Sequence, residues 1–264
     1  MPSIDFTVFK GAEGGKIVKG TTHRDLRDDD VVVKITHSGL CYTDILFCER
    51  DIVLGHEGVG LVEQVGPSCT MFKPGDRVGW SYMQGTCGTC DLCFQGEDMY
   101  CEKAELYGFT NPDIGSFASH AVIREPFLLR VPDAIEPVHA GPLFCGGVTV
   151  FEALTRYGVK STDRVGVIGI GGVGHLAIQF ACMRFTSVDI CGSNPDIVSG
   201  HDSHDSCGSV WIVVDLRRRS WFFSCTTYIQ AREGENTSQS DSFFPFPLIS
   251  VCLKIPATIY GSGS

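Results

Sequence analysis

The sequence predicts an α/β fold with an added β part: a small, irregular β-barrel, then the opening of a parallel sheet. Three observations predict it. Short β-runs punctuated by glycine and proline fill Val31 to about Arg130. The character changes near Pro142, and Arg164 to Cys191 then reads as strand, glycine turn, helix, strand. Within the first region, four cysteines crowd into one loop: Cys87, Cys90, Cys93 and Cys101.

In chain order, Val31-Val32-Val33-Lys34-Ile35-Thr36 is expected to be a strand. Thr43 to Glu49 predicts one short helix. Gly58 to Gly66 predicts a second strand, with glycines at its bends. Lys73-Pro74-Gly75-Asp76 is a turn entering a third strand at Arg77-Val78. Such runs build a small barrel. Beyond Pro142, Val148 to Tyr157 has helical spacing. Arg164 to Gly169 is an apolar strand ending in Gly169-Ile170-Gly171-Gly172-Val173-Gly174. Leu176 to Met183 continues as an apolar helix, and Ser187 to Cys191 is a second strand. This is the opening of a Rossmann unit. After Ser199 the regular alternation stops. Ser209 to Leu216 could supply one more strand, and Glu233 to Ser242 is almost free of apolar residues.

Composition narrows the function. The chain has 264 residues, 43% of them hydrophobic, enough for a sizeable core and one to two domains. A net charge of -10 argues against nucleic acid or an anionic membrane as the main partner, and Arg217-Arg218-Arg219 is too short to reverse it. Met1 to Lys10 has no apolar signal core, and no apolar run approaches a membrane span. Thirteen cysteines without an export signal fit reduced thiols and metal ligation better than disulfides, so the expected location is the cytoplasm.

The cysteine cluster has the spacing C-x2-C-x2-C-x7-C. Four thiolates set that closely can converge on one tetrahedral Zn2+ and close its shell. A closed shell leaves no place for water or substrate, so this zinc is expected to hold a loop. A disulfide or chance grouping is the alternative. The turn Gly169 to Gly174 fits G-x-G-x-x-G between a strand and a helix, the context in which a backbone approaches a pyrophosphate.

Further motifs stand around the cluster. Cys41-Tyr42-Thr43-Asp44 and Gly55-His56-Glu57-Gly58-Val59-Gly60 lie upstream of it. Pro142-Leu143-Phe144-Cys145 and the glycine turn lie downstream. As a set, over about Phe6 to Asn194, they resemble the zinc-dependent medium-chain alcohol dehydrogenases, in particular the cinnamyl-alcohol-dehydrogenase-like branch. The resemblance implies a GroES-like catalytic domain over 1–145 and the N-terminal part of a Rossmann NADP-binding domain over 146–198. Residues 199–264 form an atypical tail that does not align. It implies two zinc ions per chain: a catalytic one on Cys41, His56 and Cys145 with an open position, and a structural one on Cys87, Cys90, Cys93 and Cys101. Thr43 would pass the substrate proton, Asp44 would orient His56, and Glu57 would lie close to the metal. Gly169, Gly171, Gly172, Val173 and Gly174 would cradle the dinucleotide, and Thr149 would face the nicotinamide. The activity implied is reversible alcohol and aldehyde interconversion on a small molecule, and relatives are homodimers.

Some features qualify these expectations. Many family members have a relay histidine five residues after the first zinc cysteine, and here Leu46 stands there. Cys191-Gly192-Ser193-Asn194-Pro195 lacks the acid that binds an NAD ribose. Ser193 and Asn194 therefore favour NADP(H), with NAD(H) left open because no cation is near and Asp196 lies slightly late. Trp80 and Phe109 would line an apolar pocket or pack in the core. The tail from Ser199 is expected to be loosely ordered, so a truncated, catalytically silent zinc-binding relative is the main rival. A zinc-finger interaction module would need a second, interleaved ligand set. A zinc-free quinone reductase would not need the cysteines.

Overall fold

The computed structural model describes residues 2–156, 159–191, 211–216, 219–224 and 251–254. The chain divides into two units, Met1–Cys145 with Ser250–Ser264, and Gly146–Ile249.

The first unit opens with a long antiparallel hairpin, β1 (Ser3–Ala12) and β2 (Lys16–Asp25), paired from Ser3↔Asp25 to Ala12↔Lys16. β3 (Asp30–Leu40) carries the predicted valine-rich run and extends beyond it. Its valines alternate onto both faces of the sheet and are buried on both, so the run reads as continuously apolar rather than alternating. A short helix α1 (Tyr42–Leu46) follows, then β4 (Gly58–Val65) and β5 (Arg77–Trp80). The small pair β6 (Met83–Gly85) and β7 (Glu105–Leu106) brackets the cysteine loop and its one-turn helix α2 (Asp91–Phe94). β8 (His120–Arg124), β9 (Leu129–Arg130) and the short helix α3 (Pro137–Ala140) complete the run towards Cys145. The core of this unit gathers Phe6, Val8, Val31, Val33, Ile35, Val78, Trp80, Val122 and Ile123. Trp80 is 1% exposed within that cluster, so of its two expected places it takes the core and not a pocket wall.

The second unit starts with α4 (Gly146–Thr155). β10 (Arg164–Ile168), α5 (Gly174–Arg184) and β11 (Ser187–Cys191) follow, with β10 and β11 parallel from Arg164↔Ser187 to Ile168↔Cys191. Val165 and Val167 of β10 are fully buried, and α5 buries Leu176, Ala177 and Ala181. Phe151 of α4 meets Phe180 of α5 edge to face at 6.1 Å. The strand expected within Ser209 to Leu216 is β12 (Trp211–Leu216), but it runs antiparallel to β10. It forms a hairpin with β13 (Arg219–Ser224), giving the order β11-β10-β12-β13. The sheet is therefore mixed where an all-parallel one was expected. Two strands separated by only two residues must pair antiparallel, and that hairpin docks on β10 as a ready-made ribbon.

One more strand, β14 (Val251–Lys254), belongs to the first unit and pairs antiparallel with β3 from Val251↔Leu40 to Lys254↔His37. The barrel sheet then has the order β14-β3-β4-β5-β9, with β8 also paired to β3. Part of the segment expected to stand apart from the family fold thus returns to the barrel. Ser193, Asn194, Ser199 and the polar stretch Glu233 to Ser242 lie outside the described residues. Among the described residues, no helix is long and apolar enough to cross a membrane.

Candidate metal centre

The end of β3 delivers Cys41 to the N-terminus of α1, where the Asp44 Oδ2 accepts the Cys41 N–H at 3.0 Å. That bond fixes the first turn and holds Cys41 and Asp44 on one side of it. The other Asp44 oxygen, Oδ1, accepts from three donors: His56 Nδ1 at 2.9 Å, the Gly55 N–H at 3.2 Å and the Tyr107 hydroxyl at 3.0 Å. A carboxylate only accepts, so Nδ1 carries the proton and Nε2 presents its lone pair elsewhere. His56 is 1% exposed, and its Nε2 has no hydrogen-bond partner among the described residues.

That orphaned nitrogen belongs to a cluster. The ligand atoms of Cys41, His56, Glu57 and Cys145 all lie within 4.8 Å of one another. Cys41 and Cys145 sulfurs are 4.0 Å apart, and the Thr43 Oγ1 is 3.7 Å from the Cys41 sulfur. A tetrahedron with zinc–sulfur bonds of about 2.3 Å has edges of about 3.8 Å. Two thiols, one imidazole nitrogen and a carboxylate at these separations fit a zinc ion with three protein ligands and room for a fourth. Cys145 is held there by the tight turn Gly141–Phe144, whose last carbonyl accepts the Ser81 hydroxyl. Glu57 is wholly buried, and Gly39 makes the room: a Cβ there would meet a Glu57 carboxylate oxygen at 1.6 Å.

Electrostatics point the same way. The hydrogen bond to Cys145 and the neighbouring His56 outweigh burial and hold the Cys41 thiol down, to about 4. The Cys145 thiol is pushed well up, first by Cys41, then by burial and the Glu57 and Asp44 charges. Burial works against a charged His56, yet Asp44 and Cys41 prevail and raise its pKa to about 10. Without a metal the site thus pairs a Cys41 thiolate with a charged His56, and a metal cation bound there would take the place of the His56 Nε2 proton.

The four-cysteine loop holds a second cluster. Its sulfurs lie within 4.8 Å of one another, with Cys87–Cys93 at 3.8 Å and Cys90–Cys93 and Cys87–Cys101 at 3.5 Å. These are near tetrahedral edges and far beyond a disulfide bond of about 2.05 Å. Backbone N–H groups of Thr89 and Lys103 donate to the Cys87 and Cys101 sulfurs. The Thr89 and Cys101 bonds hold the Cys87 thiol down, to about 6.

In the second unit, Gly169 takes a φ of +92°, a conformation that favours glycine, as β10 turns toward α5. A Cβ on Gly171 would meet none of the described residues within 4 Å, so among them the backbone there borders open space. Val173 and Gly174 are buried at the start of α5, Gly172 is half-buried, and Thr149 sits half-buried in α4. Leu46 is exposed at the end of α1, and Phe109 is exposed beside Phe47 and the Arg50 guanidinium.

Three residues at the centre carry no sequence signal. Tyr107 is fully buried and stacks on the His56 ring at 4.9 Å and 31°. Tyr82 meets the same ring edge to face at 5.7 Å. Gly39 gives Glu57 its space. Nothing in the spacing of Tyr82, Gly39 or Tyr107 marks them, because each acts through a contact distant in sequence.

Comparison with known proteins agrees with this architecture. Residues 27–133 match the alcohol dehydrogenase GroES-like domain. A probable cinnamyl alcohol dehydrogenase 8A of Oryza sativa subsp. japonica is 36% identical over 188 residues, covering 66% of this chain and 52% of that protein. An alcohol dehydrogenase of Geobacillus stearothermophilus is 37% identical over 160 residues, 58% and 47% of the two chains. The solved structure of a Sorghum bicolor cinnamyl alcohol dehydrogenase superposes with a TM-score of 0.67 at 30% identity, over 73% of this chain and 60% of that one. The fold is that of the medium-chain alcohol dehydrogenases. Within that class, the matched part of the chain is similar to cinnamyl alcohol dehydrogenases. It spans about half the length of the curated relatives it matches.

Proposed function

We propose that the chain is a zinc-dependent oxidoreductase of alcohols and aldehydes, exchanging hydride between a small-molecule substrate and NADP(H). The observation that carries this is the convergence of Cys41, His56 and Cys145, with a buried, unpartnered His56 Nε2 among them. These three residues would hold the ion. A zinc ion bound there supplies a Lewis acid that polarises the substrate oxygen. Asp44 keeps His56 in the tautomer that offers Nε2. Thr43, 6% exposed beside Cys41, holds the substrate proton at Oγ1. Buried Glu57 adds negative charge against the site and is within reach as an exchanging ligand. Cys87, Cys90, Cys93 and Cys101 would hold a second ion that staples their loop. Leu46 cannot carry a proton onward, so a relay from Thr43 would have to use cofactor hydroxyls and water or run slowly.

For the dinucleotide, the support is the open space beside Gly171 at the turn from Gly169 to Gly174. Gly172, Val173 and Gly174 lead that turn into α5, and Thr149 would face the nicotinamide. The choice of NADP(H) rests on Ser193 and Asn194, where an acid would repel a 2'-phosphate. Residues 1–145 are assigned as the GroES-like zinc-binding domain and 146–198 as the N-terminal part of a Rossmann domain. Residues 199–264 form an atypical tail, of which β14 serves the barrel.

A second reading, a catalytically silent zinc-binding relative, is favoured by one observation. β12 lies antiparallel beside β10. A dinucleotide crevice needs parallel strands continuing there. Elemental analysis and NADPH fluorescence titration on the purified chain decide between the two. Two zinc ions and NADPH binding support the enzyme, zinc without NADPH binding supports the silent relative, and no zinc in a folded sample rejects both.

A further inference from the structure

Resting on the open metal site just proposed, we infer that Tyr107 is a positioning residue for it: its hydroxyl locks Asp44, and through Asp44 the imidazole of His56. The geometry is a closed set of bonds. The Tyr107 hydroxyl accepts the Gly55 N–H at 2.8 Å and donates to Asp44 Oδ1 at 3.0 Å. Asp44 Oδ1 accepts His56 Nδ1 at 2.9 Å. Gly55 precedes His56 in the chain, so Tyr107 grips the ligand twice, once through its backbone and once through its carboxylate partner. The Tyr107 ring also stacks on the imidazole at 4.9 Å, which fixes the plane in which Nε2 points. All three side chains are almost completely buried, so no water substitutes for the hydroxyl at low cost.

Tyr82 supplies an internal contrast. Its ring touches His56 at 5.7 Å, but its buried hydroxyl has no partner among the described residues. Both tyrosines pack on the ligand, and among the described residues Tyr107 is the one whose hydroxyl bonds to Asp44. Partners behind a metal ligand are worth about 10–100-fold in affinity. The expected loss for Tyr107→Phe at the open site is therefore tenfold or more, with no loss for Tyr82→Phe.

The test uses the full chain loaded with cobalt, with chelator competition and visible absorption read together. The four-cysteine site is the internal reference. Tyr107→Phe is expected to weaken the open site at least tenfold and change its cobalt absorption band, while the four-cysteine site keeps its affinity. In combination with Asp44→Asn, Tyr107→Phe is expected to add little further loss, because both changes break one chain of bonds. Wild-type affinity and spectrum in Tyr107→Phe overturn the inference. So does a full additional tenfold loss on top of Asp44→Asn, which would place Tyr107 outside that chain. Loss of both metals together, a general collapse, also counts against it. A wild-type chain that takes up only one cobalt removes the open site itself, and the proposed function falls with it.

Discussion

At Gly39 one missing methyl group decides whether Glu57 can stand where it does. A Cβ there would sit 1.6 Å from one carboxylate oxygen and 2.7 Å from the Glu57 Cβ. Both side chains are buried, so neither has an easy escape. Gly39→Ala is expected to destabilise the metal-loaded chain by about 1–3 kcal/mol, the usual cost of overpacking a tight interior. Urea unfolding checks this, and an unchanged midpoint would mean that Glu57 is not confined as described. The residue scale also divides what could be read in advance from what could not. Cys41, His56 and Cys145 were legible because thiols and imidazole in that order match a family pattern, and their side chains do meet. The four-cysteine loop was legible from spacing alone. Tyr107 was not, because a tyrosine earns its role here from bonds to Asp44 and Gly55, each more than fifty positions away.

Among the elements, loops held by single side chains matter as much as strands. The Glu125 carboxylate accepts the Thr70, Met71 and Phe72 N–H groups at 2.9, 2.7 and 3.1 Å, gathering the loop before β5 against the barrel. Glu125→Ala leaves those donors unmatched, and a buried unmatched donor costs about 1–3 kcal/mol. Thermal unfolding is expected to show a lower midpoint, and a variant as stable as wild type would mean that water takes over those bonds. The cysteine loop behaves differently. Its helix α2 is a single turn, too short to persist unaided. Cys93→Ser is expected to cost one metal equivalent and lower stability, since ligation there is folding free energy. Cys145→Ser is expected to cost the other equivalent while sparing the fold. Equal destabilisation by the two changes would contradict separate roles. Strands β3, β4 and β5 were readable from their apolar runs. The hairpin of β1 and β2 was not, because most of β2 is exposed and its polar sequence carries no burial pattern.

For the molecule as a whole, the sequence motifs located both units, but they said nothing of how the sheet of the second unit would be finished. Strand direction depends on what a strand pairs with, and the hairpin of β12 and β13 is a local product of two adjacent strands. The consequence for binding is measurable. A glycine turn and one parallel pair would offer a dinucleotide its pyrophosphate contact, without a parallel strand beside β10 on the side that β12 occupies. Cofactor binding and aldehyde reduction are therefore expected to be weak, and NADPH is expected to be preferred over NADH only modestly, since Ser193 and Asn194 stand where an acid would repel a 2'-phosphate but no Arg or Lys is near to hold it. Titration with both reduced cofactors checks the order, and tighter NADH binding would reject it.

The pairing of β14 with β3 has a consequence in time. One edge of β3 is covered in two stretches, Asp30 to Lys34 by β8 and His37 to Leu40 by β14. Roughly 210 residues separate Leu40 from Val251, which a ribosome adds in about 10–40 s. For that interval the last stretch of β3, immediately before Cys41, has open N–H and C=O groups. A nascent chain in that condition invites pairing with a neighbour on the same message. Early arrival of zinc at Cys41 and His56 would hold the start of α1 in place while the strand waits for its last partner.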